Sequence, residues 1–406
     1  MIKFKFKFKF KFKWLLIGVF ILLSGCSSEP MIQLSEENQA KLEEKRAQSS
    51  EVSNNVDADT ISETAQTESI LDVPETVTLA ELDPSSWTQL PEGTTLELSN
   101  YLPYVAYQLK QFSNESGSYT TYVDFFDESN RVMQVREIVG ATNYVNIYEW
   151  SEQAIQLTAR HENIALFENL TQDVSSTPDA NLTLLSAPVA VGTTWSYDGT
   201  HTSQIVGLYE SLTLGEQQYT EVVEVSTPFE AYDLRQYYAS GDGLILTRYV
   251  DNAEVSTGEQ FWQVTGNSHQ VMMILNRDVA QPQTEGEYLL SLEKVPFAYQ
   301  TNDSLARAFQ RLFTDLGWIT DDIVVNSLTV DEAGVANLDF SAGVVAAFNQ
   351  HPSTETSIIP AIVTTVGHYF DVTQVRLTVN TVGLLPDTLA YPENGIYQVD
   401  ASWLAN

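Results

Sequence analysis

The chain has 406 residues, with 54 acidic against 20 basic side chains, a formal net charge of −34 and a mean hydropathy of −0.14. A surface of that sign repels nucleic acid, whose binding is driven by Lys and Arg contacts to phosphate, and so excludes that partner. Cys26 is the single cysteine, which excludes an internal disulfide and leaves the folded part to stand on its core alone.

Residues 1–25 read as an export signal. Lys3, Lys5, Lys7, Lys9, Lys11 and Lys13 alternate with Phe, an apolar run follows from Trp14 to Leu23, and Leu23-Ser24-Gly25 precede Cys26. The apolar run is too short for a spanning helix, which takes about 20 residues. Leu23-Ser24-Gly25-Cys26 resembles the lipobox of bacterial lipoproteins. That resemblance implies removal of residues 1–25 and diacylation of Cys26 with fatty acids of the palmitate kind. It also implies a chain held on the extracytoplasmic face of the cell membrane. Two acyl chains anchor stably where one does not. Nothing after Cys26 is apolar enough to span a bilayer. The signal carries 6 of the 20 basic residues and no acidic one, so the remainder stands at 14 minus 54, or −40.

Residues 26–86 are expected to form a disordered acidic tether. Within 27–85 there are 14 acids, 3 bases and no aromatic residue, a composition that buries too little apolar surface to offset ordering. A short helical tendency runs from Glu36 to Arg46. The reach of such a tether is on the order of 40 Å.

Residues 87–280 are expected to form an all-β domain, a barrel, half-barrel or sandwich. Period-2 segments recur at Tyr104–Phe112, Tyr119–Phe126, Arg131–Val139, Asn143–Trp150, Tyr219–Ser226, Leu244–Val250 and Glu259–Thr265. Turn residues separate them at Glu115-Ser116-Gly117, Glu128-Ser129-Asn130 and Gly241-Asp242-Gly243, and Ser175–Asp179 marks a seam. No convincing helical period appears here. The Gly192-Thr193-Thr194-Trp195 and Gly241 to Ile245 stretches loosely resemble β-rich extracytoplasmic lipoprotein domains.

Residues 281–406 change to an α+β pattern. Glu287–Tyr299 reads as a strand. Asn302–Leu316 reads as a helix capped by Asn302 or Asp303 and ended by Gly317. Its buried face carries Leu305, Phe309, Leu312 and Leu316, with Arg307, Arg311 and Asp315 turned outward. A hairpin joins Ile323–Val330 to Val335–Phe340. An apolar helix follows over Thr356–Phe370, with Pro360 in its first turn, then strands at Val372–Asn380 and Ile396–Val399.

Three stretches of this region resemble the GerMN domain, named for the spore germination protein GerM. They are Val335-Ala336-Asn337-Leu338-Asp339-Phe340-Ser341, Ile358 to Val366, and Val375-Arg376-Leu377-Thr378-Val379-Asn380. The chain departs from the family pattern at Thr364, where Asn is usual, and at Asn380-Thr381, where Asp-Gly is usual. The resemblance implies a non-catalytic α+β module of membrane-anchored proteins that associates with envelope complexes. Asp339 reads as structural, its carboxylate bonding amides of the following helix.

Catalytic constellations are not visible in the sequence. His161, His201, His269, His351 and His368 are scattered without a partner motif, which leaves no zinc site and no histidine cluster for a pH switch. Gly-x-Ser-x-Gly and phosphate-binding loops are missing, and neither catalysis nor a cofactor is expected. The acidic run Asp124–Asn130 lacks the ligand spacing of a calcium loop and reads as a solvated turn. Three functions follow, in order. The first is a binding or scaffolding lipoprotein whose GerMN-like domain meets an envelope protein, proteins of sporulation or germination being among the candidates. The second is a small-ligand or lipid carrier using the β-rich domain and its tryptophans Trp87, Trp150, Trp195 and Trp262. The third is a cell-wall hydrolase built on a carboxylate pair. Ligand-binding residues are not assigned.

Overall fold

The computed structural model describes residues 87–400 apart from 115–116, 141, 163, 165, 172–179, 216, 252–259, 270–271, 284–289, 351–356, 384–391 and 393–394. The signal (1–25), Cys26, the tether (26–86) and the seam at Ser175–Asp179 lie outside the described residues.

Alternating Val, Tyr, Phe and Thr make the first part of this region β-structure. Its strands are β1 (Thr88–Gln89), β2 (Leu109–Asn114), β3 (Gly117–Asp127), β4 (Val132–Val139), β5 (Thr142–Trp150), β6 (Ala154–Glu162) and β7 (Leu182–Ser186). They continue with β8 (Thr194–Ser196), β9 (Thr202–Leu214), β10 (Gln217–Pro228), β11 (Tyr232–Ala239), β12 (Gly243–Asp251) and β13 (Gln260–Ser268). All thirteen belong to one antiparallel sheet. Strands β2 to β7 form one meander and β9 to β13 another, and β13 returns to pair with β2. β1 and β8 lie along β9.

The two ends of the sheet meet. The Thr183 amide in β7 donates to the Tyr197 carbonyl just after β8 at 2.8 Å, and the Trp195 indole donates to the Thr183 carbonyl at 2.8 Å. Right-handed twist accumulated over this many strands curls a sheet until its edges approach. The result is a barrel with one concave face. Of the options left open by the sequence, the barrel is the one realised.

The second part continues through β14 (Met273–Pro282), β15 (Leu290–Tyr299), β16 (Val325–Val330), β17 (Val335–Phe340), β18 (Gln374–Val379), β19 (Val382–Gly383) and β20 (Ile396–Gln398). Its helices are α1 (Leu305–Asp315), α2 (Gly343–Gln350) and α3 (Ile359–Phe370). β14 and β15 form their own ladder, while the others form a sheet ordered β16-β17-β18-β19 with β20 also on β18. β17 and β18 run parallel, so the chain between them must cross over, and α2 and α3 supply that crossover. Helix α2 carries no sequence-level expectation because its short apolar run has no clear period.

Met273, Val279 and Ala280 of β14 pack in the same core as Phe297, Phe309, Leu338, Ile362 and Leu377. The boundary drawn at 280/281 therefore cuts through the β14–β15 ladder, where Gln281 faces Ser291 and Pro282 faces Leu290. Helix α1 is capped by Ser304, whose hydroxyl accepts the Arg307 amide at 3.2 Å, and not by Asn302 or Asp303. Arg311, expected to face outward, turns back to bond Asp303 and the Ala298 carbonyl.

A buried polar junction joins the barrel to the second core. Arg136 of β4 and Asp124 of β3 are fully buried, with Nη2 and Nε of the guanidinium 2.9 and 3.0 Å from Asp124 Oδ2. Gln134 donates to the same oxygen at 3.3 Å, and Tyr299 of β15 donates to Asp124 Oδ1 at 3.1 Å. The remaining guanidinium hydrogens reach the Ile164 and Leu166 carbonyls. Next to this pair, Asn302 sits at φ +62° and bonds both the amide and the carbonyl of Phe126, each at 2.8 Å. Asp124 is thus no part of a solvated turn. Only the tip of the acidic run reads that way, where Asp127 accepts from the Asn130 amide and side chain.

Candidate functional site

Side chains alternate across each strand, so cross-strand partners share a face. On β4, Met133, Val135 and Glu137 point into the barrel, while Gln134 and Arg136 point to the second core. Pairing carries the inner face across to Tyr119, Thr121, Tyr144, Asn146, Tyr148 and Arg160 in the first meander. In the second it carries to Trp262, Thr247, Tyr249, Gln236 and Tyr238.

The two ends of the interior differ. One end is filled by Phe126, Met133, Trp150 and Leu157, and by the turn Leu98–Tyr101 packed with Leu185, Ile205 and Val223. Lys110 is buried near this floor, its ammonium donating to the carbonyls of Pro103, Asp242 and Leu244 and lying 5.1 Å from the Tyr104 ring centre. Burial pushes its pKa down to about 7, opposed by the Asp242 carboxylate. Gly243 lets the backbone close over it. At φ +73°, a Cβ there would meet the Pro103 oxygen at 2.3 Å.

The other end is an aromatic mouth. Tyr119 lies edge-on to Trp262 at 5.1 Å and stacks on Phe112 at 4.8 Å. Tyr232 meets Tyr249 at 5.4 Å and Phe229 at 5.0 Å, and Phe229 reaches Tyr197 and His201. Glu137 and Arg160 form an ion pair at 3.2 Å, with side chains 19% and 31% exposed, and Arg160 stands 4.2 Å from the Tyr144 ring centre. Desolvation, then Tyr232 and Glu137, push the Tyr249 phenol up to about 12. The Tyr119, Tyr148, Tyr197 and Tyr238 phenols are raised as well, burial being the largest cause in each. At neutral pH they are uncharged hydroxyls.

Several inward-facing polar atoms have no hydrogen-bond partner among the described residues. They are Thr121 Oγ1, Asn146 Oδ1, Gln236 Oε1 and Tyr238 Oη. The Asn146 amide orientation is set by its Nδ2, which donates to Glu137 Oε2 at 3.3 Å. Each of these atoms is shut off from solvent, and a buried polar atom left alone costs about 1–3 kcal/mol.

The four tryptophans divide by role. Trp262 lines the mouth, Trp150 fills the floor, and Trp195 helps close the sheet. Trp87 caps the outer wall, edge-on to Tyr209 and Tyr237 at 5.3 and 5.5 Å. Beneath it Glu224 accepts from Tyr209 (2.5 Å), Tyr237 (2.9 Å) and Arg235 (2.7 Å), a saturated and hence structural cluster.

Asp339 is the penultimate residue of β17, close to the expected turn, but its contacts differ from expectation. It accepts from Thr378 Oγ1 (2.5 Å), the Thr381 amide (2.7 Å) and Asn326 Nδ2 (2.8 Å), and so ties β16 and the β18–β19 turn together. Desolvation works against its charge, yet those three bonds hold the carboxyl below the usual range. The turn it holds, Asn380-Thr381, has φ of +49° and +68°, the geometry that makes Asp-Gly usual there. Thr364 Oγ1 is buried without a partner among the described residues, whereas Thr365 Oγ1 accepts the Ala280 amide at 3.1 Å.

The histidines stay apart. His161 lies on β6 and His269 just past the end of β13, His201 bonds Asp198 at 2.8 Å, His368 stands 3.8 Å from Asp278, and His351 lies outside the described residues. No group of three or more His, Cys, Asp or Glu fit to hold a metal ion occurs among the described residues. Nor does a helix long and apolar enough to cross a membrane. The barrel mouth was missed at residue level in the sequence, although its Tyr and Trp at alternate positions were the available signal.

No curated protein and no solved structure matches the chain. Its C-terminal third does match a family whose description, sporulation and spore germination, suggests a role of that kind. The match covers residues 279–381, from within β14 to the turn at Thr381, and is consistent with a Germane, GerM-like domain in the C-terminal third.

Proposed function

We propose that the protein is a non-catalytic binding and scaffolding lipoprotein, anchored through lipid on Cys26 on the extracytoplasmic face, whose Germane domain meets an envelope protein partner. The observation that carries this reading is the Germane match at 279–381, together with the exposed edge of that domain. Among the described residues β16 pairs with β17 alone, and Ser327 and Thr329 on it are exposed. An open edge is where a partner adds a strand. The non-catalytic part of the reading rests on the missing motifs.

The test is in-cell crosslinking of the full chain followed by affinity recovery. A truncation after Gln281 is unsuitable as a control, because it removes β15 and opens the Asp124–Arg136 junction. The double variant Ser327→Lys/Thr329→Lys charges the edge and spares both cores. Recovery of a defined envelope protein that the double variant loses supports the reading. Equal recovery moves the contact off β16, and recovery of nothing removes the scaffold.

A second reading, a ligand receptor in the β-rich domain, is favoured by the aromatic end of the barrel interior, where Tyr119, Trp262, Tyr249 and Tyr232 are only partly buried.

A further inference from the structure

The edge of a sheet is ordinarily blunted by charge, proline, a bulge or a covering element, because an open ladder invites another chain. Strand β16 keeps one of these devices, a register shift at Asn326, which leaves Ser327–Val330 as its regular edge. From Ile323 to Val330 no side chain is charged and none is proline. Among the described residues β17 is its only strand neighbour, and Val324, Asn326, Ser327, Thr329 and Val330 are exposed. The Asp331 amide donates to the Val335 carbonyl, on the β17 side. Successive backbone groups alternate sides along a strand, so those of Leu328 and Val330 point outward.

Charge gathers instead at the two ends of the edge. Asp321 and Asp322 precede it, Asp331 and Glu332 follow it, and Asp321, Asp322 and Glu332 are exposed. Asp331 serves its own hairpin, accepting the Ala333 and Val335 amides at 3.0 Å each. This pattern discriminates between occupants. A second copy of the chain, paired about a two-fold axis so that Val325–Val330 overlaps itself, sets Ile323 against Glu332. It also brings Asp321 and Asp322 to the Asp331–Gly334 turn of the other copy. Like charges then meet at both ends, which is destabilising. The chain's own residues 27–85, with 14 acids and 3 bases, carry the wrong sign too. An extended segment with an uncharged, β-branched middle and Lys or Arg at both ends satisfies the ladder and its flanks, in either direction.

We infer that the β16 edge takes an extended segment of a partner protein whose uncharged, β-branched core is bracketed by basic residues. The core adds a strand along Ser327–Val330, and the bases meet Asp321 and Asp322 at one end and Glu332 at the other. This names the partner chemistry of the edge contact proposed above and rests on that reading.

The experiment uses the full chain in detergent and fluorescence anisotropy with three labelled peptides. The first is Lys-Lys-Thr-Val-Thr-Val-Thr-Val-Lys-Lys. The second carries Glu in place of every Lys, and the third keeps the lysines but has Pro in place of the middle Thr, which removes an amide and breaks the strand. The first should bind saturably and weaken as sodium chloride is added. The other two should bind about tenfold more weakly or worse, equivalent to 1.4 kcal/mol. The double variant Asp321→Lys/Glu332→Lys, at two exposed side chains outside both cores, should weaken the first peptide by a similar factor while leaving most of the chain's negative charge in place. Ser327→Lys/Thr329→Lys should weaken it as well. Equal binding of the first and third peptides is attraction to charge without strand addition and overturns the inference. Binding of the first that survives both double variants lies elsewhere and does the same. Equal binding of the first and second, lost in Ser327→Lys/Thr329→Lys, overturns the basic partner and leaves the edge contact standing. Binding of none overturns the inference alone, because crosslinking decides the edge reading separately: a partner recovered by the parent chain and lost in Ser327→Lys/Thr329→Lys keeps that reading.

Discussion

Adjacent residues of β4, Arg136 and Glu137, belong to two ion pairs on opposite faces of the same sheet. On the outer face Arg136 meets Asp124 in a dry junction where both side chains are fully buried and Tyr299, Gln134 and two carbonyls complete the bonding. On the inner face Glu137 meets Arg160 with both side chains partly exposed, beside an Asn146 carboxamide oxygen that has no hydrogen-bond partner among the described residues. A saturated buried network fixes one arrangement, whereas a partly exposed pair is screened by solvent and holds its neighbours less firmly. The first is the mark of a structural joint and the second of an ion pair screened by solvent. The sheet uses its period of two to keep them apart.

The sharpest way to break this comparison is Asp124→Ala. It leaves the Arg136 guanidinium charged and unpaired in the interior, and a loss of about 3–5 kcal/mol is expected in denaturant unfolding. If the joint couples barrel and Germane core, a single transition should also split into two. A loss comparable to that of a surface pair would show that the junction is not dry.

Asp339 probes the same contrast within the Germane domain. Asp339→Asn should cost about 1–3 kcal/mol at neutral pH, because charge-assisted bonds from Thr378, Asn326 and the Thr381 amide weaken together. The sign of its pH dependence follows from a carboxyl held below its unfolded value. Its contribution is complete above the ordinary carboxylate range and is lost as pH falls through the folded pKa. Unfolding measured from neutral to acid pH should therefore fall more steeply for the parent chain than for Asp339→Asn.

Thr381→Gly should raise stability by about 1 kcal/mol, because a β-branched residue at φ +68° is strained and Gly is not, while the amide bonded to Asp339 is kept. Thermal melting checks it, and no gain would mean that the Thr381 side chain compensates in the folded state. By contrast, Arg160→Met should cost no more than about 1 kcal/mol, since its pair with Glu137 is partly exposed. A loss as large as that of Asp124→Ala would erase the difference between the faces. Smallest of all, Thr364→Val should be neutral or stabilising by a few tenths of a kcal/mol, since it removes a buried hydroxyl that has no partner among the described residues.

Much of the second core was legible because its signals are local. Leu305, Phe309, Leu312 and Leu316 recur at the helical period, Pro360 suits a first turn, and Gly334 turns β16 into β17 at φ +77°. Helix α2 was not legible, and neither was the cap at Ser304, since Asn302, Asp303 and Ser304 are all competent and packing chose among them. Asn302 was drawn away to Phe126 of β3, a contact 176 residues distant in sequence. In the barrel, strands such as β3, β4 and β5 were legible from alternation. The longer β9 was not, nor were β6 and β11, whose polar positions face a solvated or hydrogen-bonded surface and blur the period.

What the sequence determined by itself is the class of each region. A long alternating stretch of Tyr, Val and Thr must bury one face as sheet, and the motifs around Asp339, Ile358 to Val366 and Val375 to Asn380 identify the Germane domain. These follow from local propensity and from side chains spaced at one period. The tertiary structure alone decided that β14 belongs with the Germane core, that Asp124 is a buried joint, and that Tyr119, Asn146, Gln236 and Tyr249 share one mouth. Those residues sit on β3, β5, β11 and β12, and only the closing of the sheet through Thr183, Trp195 and Tyr197 brings them together. Alternation tells which face a residue takes. It does not tell which strands will face each other across a barrel, because that depends on the accumulated twist and register of every strand between them.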